Sequence, residues 1–392
     1  MAKIIWIIYI LTWKTLRFIL QQFIKPKPQA NPLIVGFGGD YFYGNSKSVY
    51  LEYQKKVQQG EVILYWAVAD RTKSRQWKKE GVNPLWKFSI TKLPLFLKTN
   101  VWVGDHGPGD FPVKKHKKSF WVQVWHGIPF KGFAGNPLTK KYFNIYDLHP
   151  VSSQWLSDYY IEGIGVDPER VAVTGYPRID RLINPFYDRA KIIEELDLNP
   201  SFKTILYAPT WAHESGTKKP LFPFSQDSEV IKQILSFLES NDLQMIIRLH
   251  PNYKIEDHEI SDLIETSDRI TLSSVRTDWD TEKLLAITDI LITDWSSIAN
   301  DFIVLDKPMI FLETLNELFE HGYALKPSAR AGIIVDSQEG FFQALSSSLS
   351  NPAELAKLRS RIAQKIHFKM DGQASRRVIE EIDKRLTTFY EK

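Results

Sequence analysis

The sequence predicts an α/β protein built from two doubly wound, Rossmann-like domains with a cleft between them, preceded by an amphipathic helix. Three observations predict it. Short apolar runs recur along the chain. Several of the intervals between them are amphipathic and long enough for crossover helices, the mark of parallel βαβ units. A second series of the same pattern begins after Asn199-Pro200. A chain of 392 residues with 43% apolar content has length and core enough for two such domains.

The first element is a helix over residues 1–30. The apolar run at 4–13 is too short to span a bilayer, which takes ~20 residues. It continues through Leu16, Ile19, Leu20 and Phe23, and no small-residue cleavage site precedes Lys25-Pro26-Lys27-Pro28. Lys14, Arg17, Gln21 and Lys25 recur at helical spacing, with Trp6, Trp13 and Phe18 elsewhere. The expectation is a helix lying in the headgroup layer of a membrane. A helix packed on its own domain or on a second subunit is the alternative, as is a tilted span.

Strands are expected at 33–37, 62–68, 101–103, 121–125 and 171–174, in a domain covering 31–185. The second series, at 204–207, 244–248, 270–272, 289–293, 308–312 and 332–335, makes a domain covering 186–372. Helices are expected at 228–240 and 281–287, and a last one over 373–392 is placed to cross back to the first domain. Ligands of open α/β sheets sit beyond the carboxyl ends of the strands. The residues that follow the strands are therefore the first candidates.

Three strand ends stand out. One run finishes in His126-Gly127-Ile128-Pro129, a second in Arg248-Leu249-His250-Pro251, a third in Asp294-Trp295-Ser296-Ser297. A neutral imidazole on a short loop accepts a proton from an attacking hydroxyl, and a protonated one stabilises phosphate charge. A single histidine is more often structural; two at strand ends of different domains are more specific. The serines and backbone N–H groups at a helix start suit a phosphate, although Asp294 or Ser296 as a plain helix cap explains the same residues. His106 also follows a strand. Gly36-Phe37-Gly38-Gly39-Asp40 lacks the full dinucleotide fingerprint, and no P-loop occurs. Neither the carboxylates nor the nine histidines have metal-ligand spacing, and the chain has no cysteine for a thiolate site, a disulfide or a nucleophile. Lys114, Lys115, Lys117 and Lys118, with Lys140 and Lys141, form basic clusters on a chain of net charge only +4. They read equally as solvated loops and as contacts to anionic lipid or a polyanionic product. No nucleic-acid partner is expected.

Read in order, these motifs resemble the CDP-glycerol glycerophosphotransferase family of teichoic acid synthesis. The matching segments are Gly44-Asn45-Ser46-Lys47, Trp125-His126-Gly127-Ile128-Pro129-Phe130-Lys131, Thr174-Gly175-Tyr176-Pro177-Arg178-Ile179-Asp180 and Tyr207-Ala208-Pro209-Thr210-Trp211. Arg248-Leu249-His250-Pro251, Asp294-Trp295-Ser296-Ser297 and Asp371-Gly372-Gln373-Ala374-Ser375-Arg376-Arg377 complete the set.

The resemblance implies a GT-B-like architecture. His126 would be the general base and His250 would bind the donor phosphate. Pro209, Thr210, Arg248, Asp294, Ser296 and Ser297 would hold the CDP donor, with His106, Asp40 and Lys131 on the acceptor side. It implies CDP-glycerol or a related CDP-polyol as co-substrate, CMP as leaving group, no catalytic metal and a lipid-linked saccharide acceptor. The setting would be the cytoplasmic face of the membrane, attached peripherally, and the reaction that of a short primase. The chain departs from the family in Ala212 and His213, where Arg is usual after the Pro-Thr-Trp segment. It departs again at Lys326-Pro327-Ser328-Ala329-Arg330-Ala331-Gly332, where a Pro-Gly-Pro-like segment is usual. Both departures bear on the polyol or acceptor. The competing readings are a CDP-ribitol phosphotransferase, a GT-B glycosyltransferase using a nucleotide sugar, and a non-enzymatic scaffold at the membrane surface.

Overall fold

The computed structural model describes residues 2–184, 186–210, 221–222, 228–249, 258–273, 280–314 and 322–391. The chain divides into two compact units. The first comprises Met1–His126, Gly135–Asp180 and Phe368–Lys392, the second Gly127–Ala134 and Arg181–His367.

In the first unit, strands β1 (Leu33–Gly38), β2 (Val62–Val68), β3 (Pro84–Trp86), β4 (Val101–Gly104) and β5 (Phe120–Gln123) form a parallel sheet in the order β3-β2-β1-β4-β5. A parallel pair, β6 (His149–Val151) and β7 (Val171–Val173), continues beside β5 through the bridge Val122↔Leu148. The strands read as continuous apolar runs because both faces of the sheet are covered. Val35, Val101, Val103 and Val122 are fully buried. On one side they share a core with Val378, Ile379, Ile382 and Leu386 of the carboxy-terminal helix Ala374–Glu391. Asp180 fixes the start of that helix by accepting from the N–H groups of Ala374 (3.0 Å) and Ser375 (2.7 Å).

Gly36 and Gly38 are packing glycines of β1 rather than part of a phosphate loop. A Cβ on Gly36 would stand 2.7 Å from the Trp102 ring, and one on Gly38 2.7 Å from Phe111.

The second unit carries β8 (Lys203–Tyr207), β9 (Leu243–Ile247), β10 (Ile270–Leu272), β11 (Ile290–Thr293), β12 (Met309–Leu312) and β13 (Ile333–Val335). They are parallel, in the order β10-β9-β8-β11-β12-β13. Numbered within the unit this is 3-2-1-4-5-6, the doubly wound order of dinucleotide-binding domains, with the reversal between β8 and β11. The first unit reverses in the same way between β1 and β4.

Three details differ from the sequence reading. β3 and β6 were not expected: each is three residues long and contains a proline, which suppresses the strand signal. The strand expected over 121–125 ends at Gln123, because Trp125 adopts a left-handed conformation, φ 51°. The expected amino-terminal helix is present as Ala2–Phe23, ending well before residue 30. By length and composition its stretch Ile4–Phe23 is sufficient to cross a membrane.

That helix is nonetheless docked along one face. Trp13 is 2% exposed among Tyr65, Phe96, Trp102 and Phe111. Trp6 packs on Trp86 and Phe88, and the Tyr9 hydroxyl donates to Phe88 O (2.9 Å). Arg17 donates to Pro112 O (3.4 Å) and lies over the Trp13 ring; Gln21 donates to Lys114 O (3.3 Å). The opposite face leaves Ile4, Ile7, Ile8, Leu11, Phe18 and Ile19 exposed.

Candidate active site

In the first unit the loops after β4 and β5 bring two imidazoles together. The rings of His106 and His126 stack with centroids 4.8 Å apart and 18° between planes, and Trp125 stacks on His126 at 4.3 Å. His126 Nδ1 lies 2.9 Å from the carbonyl oxygen of Asp105. A carbonyl can only accept, so Nδ1 carries the proton and Nε2 presents its lone pair. The ring is solvent-accessible. Protein crowded around its loop, then the positive charge of His106, holds the pKa of His126 below its usual value, against the opposing pull of Asp105. The group is therefore neutral at physiological pH, the state a general base requires.

His106 is set the other way. Its Nδ1 meets Asp105 Oδ1 at 2.7 Å, and that hydrogen bond raises its pKa above the ordinary value despite burial. Asp105, His106 and Asp110 bring ligand-type atoms within 4.8 Å of one another. This grouping was not visible in their spacing. Within the turn His106 Nδ1 is engaged with Asp105 and Asp110 Oδ2 with the Gly107 N–H (3.1 Å).

The loop bearing His126 is held from three sides. Asn45, at the start of the helix Gly44–Gln58, donates from Nδ2 to Val124 O (3.0 Å) and Trp125 O (2.9 Å). Its Oδ1 accepts the Arg178 N–H (3.0 Å), and Arg178 Nη1 donates to His126 O (3.0 Å). Gln123 Oε1 accepts from Trp125 N–H, and Gln123 Nε2 donates to His106 O, each at 3.1 Å. Sequence reasoning gave Asn45, Asp105, Gln123 and Arg178 no role, although Asn45 and Arg178 lie in quoted motifs.

In the second unit the residues after β8 and β11 meet at the reversal of strand order. Asp294 Oδ1 accepts the Thr210 N–H (2.8 Å), the Thr210 hydroxyl (2.5 Å) and the Trp295 N–H (2.6 Å). Ser296 and Ser297 follow, partly exposed. The N-cap of the helix Ile298–Phe302 is Ser297, which makes no side-chain capping bond, so neither Asp294 nor Ser296 occupies the cap position. The helix is five residues long, too short to supply much of the dipole expected of it. Pro209 is partly exposed beside Thr210, and half-buried Arg248 follows β9, its N–H bonded to Tyr207 O (2.8 Å). His250 lies outside the described residues, as do Trp211, Ala212, His213 and Pro251.

The two other acceptor-side candidates are Asp40 and Lys131. Asp40 follows β1 and accepts from Ala69 N–H (2.7 Å), while its carbonyl accepts from Lys73 Nζ (2.7 Å), which ties the ends of β1 and β2 together. Lys131 falls in the second unit, where it pairs as an isolated antiparallel bridge with Tyr323.

Two Rossmann-like units, each with polar loops at its strand-order reversal, define a transferase of GT-B-like fold. The wall teichoic acid polymerase TagF has that fold: it superposes with a TM-score of 0.76 over 97% of this chain and 95% of its own, at 20% identity. A TagF variant soaked with CDPG superposes equally well, TM-score 0.76 over 98% of this chain and 96% of its own, again at 20% identity. Residues 18–384 match the family described as CDP-Glycerol:Poly(glycerophosphate) glycerophosphotransferase, and the chain belongs to that family.

Among relatives, the teichoic acid glycerol-phosphate transferase of Staphylococcus aureus (strain NCTC 8325 / PS 47) is 26% identical over 381 residues, 89% of this chain and 91% of its own length. The teichoic acid poly(glycerol phosphate) polymerase of Bacillus spizizenii (strain ATCC 23059 / NRRL B-14472 / W23) is 26% identical over 401 residues, 91% of this chain and 93% of its own. The teichoic acid poly(ribitol-phosphate) polymerase of the same strain is 29% identical over 289 residues, 68% of this chain but 42% of its own. The chain thus spans less than half of that last relative.

Proposed function

We propose that the chain transfers glycerol phosphate from CDP-glycerol to a lipid-linked saccharide, adding one unit and releasing CMP. The observation that carries the reading is the fixed tautomer of His126: Nδ1 bound to the Asp105 carbonyl, Nε2 available on a solvent-accessible loop. In the proposed reaction the acceptor hydroxyl attacks the β-phosphorus of the donor. Nε2 of His126 takes its proton, and CMP leaves with the electrons of the broken phosphoanhydride bond. Such transfer rests on positioning and charge stabilisation. His250, from its sequence motif, is assigned to the donor phosphate; Arg248, Thr210, Asp294 and the two serines are assigned to the donor side. No catalytic metal is invoked. The near full-length likeness to the S. aureus glycerol-phosphate transferase and to the B. spizizenii poly(glycerol phosphate) polymerase supports glycerol. The 29% identity to a ribitol-phosphate polymerase supports CDP-ribitol and repeated addition as a second reading.

Peripheral attachment to an anionic membrane belongs to the same proposal. It is supported by the exposed aliphatic face of the amino-terminal helix. At the end of that helix Lys25, Lys117 and Lys118 lie close enough to His116 to help lower its pKa, after burial.

Mass spectrometry of products from CDP-glycerol or CDP-ribitol and a lipid-disaccharide acceptor tests the reading. One added glycerol phosphate is expected; a ladder means polymerisation, and ribitol incorporation favours the second donor. His126→Ala should lower turnover by about 10²–10⁴-fold, the usual worth of a general base, with donor affinity within a few fold. Absence of CMP release from either donor, or full activity in His126→Ala, rejects the mechanism.

A further inference from the structure

We propose that Asn45 is a positioning residue for transfer, acting through His126, with Arg178 as its partner in the same clamp. The inference rests on His126 being the base. It stands on the conformation of the loop. Trp125, directly before His126, has φ 51°, a left-handed conformation that a bulky side chain adopts only when its surroundings impose it. Conformations of this kind cost on the order of 1–3 kcal/mol and persist where neighbours over-determine them.

The neighbours here are specific. Both N–H groups of the Asn45 amide are engaged, one on Val124 O and one on Trp125 O, the carbonyls that flank the left-handed residue. Those bonds fix which end of the amide is nitrogen, and its oxygen is then matched to the Arg178 N–H. The Arg178 guanidinium closes the ring by donating to His126 O. Asn45 is fully buried and Arg178 is 7% exposed. Asn45 thus acts by holding the backbone on either side of the imidazole. If that backbone relaxes towards an ordinary extended or right-handed conformation, the ring rotates away from Asp105 O, and the bond that keeps the proton on Nδ1 is lost. Nε2 is then no longer the fixed proton acceptor. The charged groups that face His126 are Asp105 and His106 from the loop after β4 and Arg178 from the segment Pro177–Ile179.

Asn45→Asp keeps the size of the side chain while replacing two donors by an oxygen facing two carbonyl oxygens. Its kcat should fall by about 100-fold, the usual consequence of an ångström-scale misplacement, while the KM for CDP-glycerol changes less than threefold (~3) and the acid limb of the kcat–pH profile moves. Histidine-selective ¹⁵N NMR, with the His126 signals identified by difference from His126→Ala, gives a readout that needs no turnover. The native chain should show protonated Nδ1 and unprotonated Nε2, and Asn45→Asp should show an average of tautomers. Arg178→Lys keeps the backbone N–H to Asn45 but loses the bond to His126 O. It should show the same changes at smaller amplitude, and it decides the matter if Asn45→Asp does not fold. A variant with native tautomer signals and an unmoved pH limb overturns the proposal, whether its kcat is native or reduced. Were the native chain to transfer nothing, the functional reading would fail while the NMR still judged the clamp.

Discussion

At Asp294 one buried carboxylate oxygen accepts three hydrogen bonds, two of them from Thr210. Hydrogen bonds to a charged group are worth about 1.5–3 kcal/mol each, and a buried donor left without a partner costs a comparable amount. Asp294→Ala strands all three donors and should destabilise the second unit by about 3–5 kcal/mol, since such losses are not additive. Thr210→Val removes the hydroxyl bond alone and should cost about 2 kcal/mol. Urea unfolding followed in the second unit checks both, and equal costs for the two variants would show that the shared oxygen is not the anchor. The sequence motif singled out both residues, but their hydrogen bonding crosses 84 positions and has no local signature. The same holds for Asn45, which reaches Val124 and Arg178 across 79 and 133 positions. A strand-end histidine can be read from a pattern of apolar runs. The buried asparagine that holds its loop is visible only once the chain is folded.

Among the elements, those read most directly were strands buried on both faces. β8, β9 and β11 are almost wholly buried, and large apolar residues dominate their sequences, with Thr204, Gln244 and Thr293 as buried polar exceptions. The amino-terminal helix shows the opposite case. Its periodicity revealed two faces but not which one turns outward. Arg17 and Gln21, read as headgroup contacts, bond instead to backbone carbonyls of the first unit, Arg17 to Pro112 O while lying over Trp13 and Gln21 to Lys114 O. The aliphatic residues are left outside. Lys115, grouped by sequence with a basic cluster, turns inward to Asp147 at 2.6 Å. The membrane proposal then rests on side chains that contribute little to the fold. Leu11 and Phe18 are 57% and 70% exposed, so replacing both by Glu should leave thermal unfolding unchanged. Each apolar side chain buried in the interface is worth about 1.5–3 kcal/mol, so the double variant should lose at least tenfold (~10) in partition onto phosphatidylglycerol vesicles. Native partition in that variant would mean that another surface meets the lipid.

At the scale of the whole molecule, the first unit is closed by segments from both ends of the chain, and its acid stability depends on a histidine outside the proposed chemistry. His149, on β6, is fully buried with its ring against Phe143, and its Nε2–H donates to Phe143 O (2.9 Å). Burial lowers its pKa from 6.5 to about 4, the Phe143 carbonyl opposing and the charges of Arg170 and Lys115 reinforcing the effect. Between those two values the unfolded chain binds a proton that the folded chain refuses, so stability rises with pH across the window. The contribution is fully present above pH 6.5 and is lost as pH falls towards about 4, to a total of about 3 kcal/mol at 1.36 kcal/mol per unit. His149→Gln removes the titration. Unfolding of the first unit, followed in urea at a series of pH values from 7 to about 4, should be less steeply pH-dependent in the variant, even if the variant is less stable at pH 7. A native slope in His149→Gln would assign the acid sensitivity to carboxylates whose pKa folding lowers. Asp180 is not among them: burial raises its pKa, its bonds to Ser375 and Ala374 opposing, so the folded chain takes up that proton more readily than the unfolded chain and the group works against acid unfolding. Asp180→Asn should therefore leave the loss of stability on acidification as steep as before or steeper, which the same urea series checks.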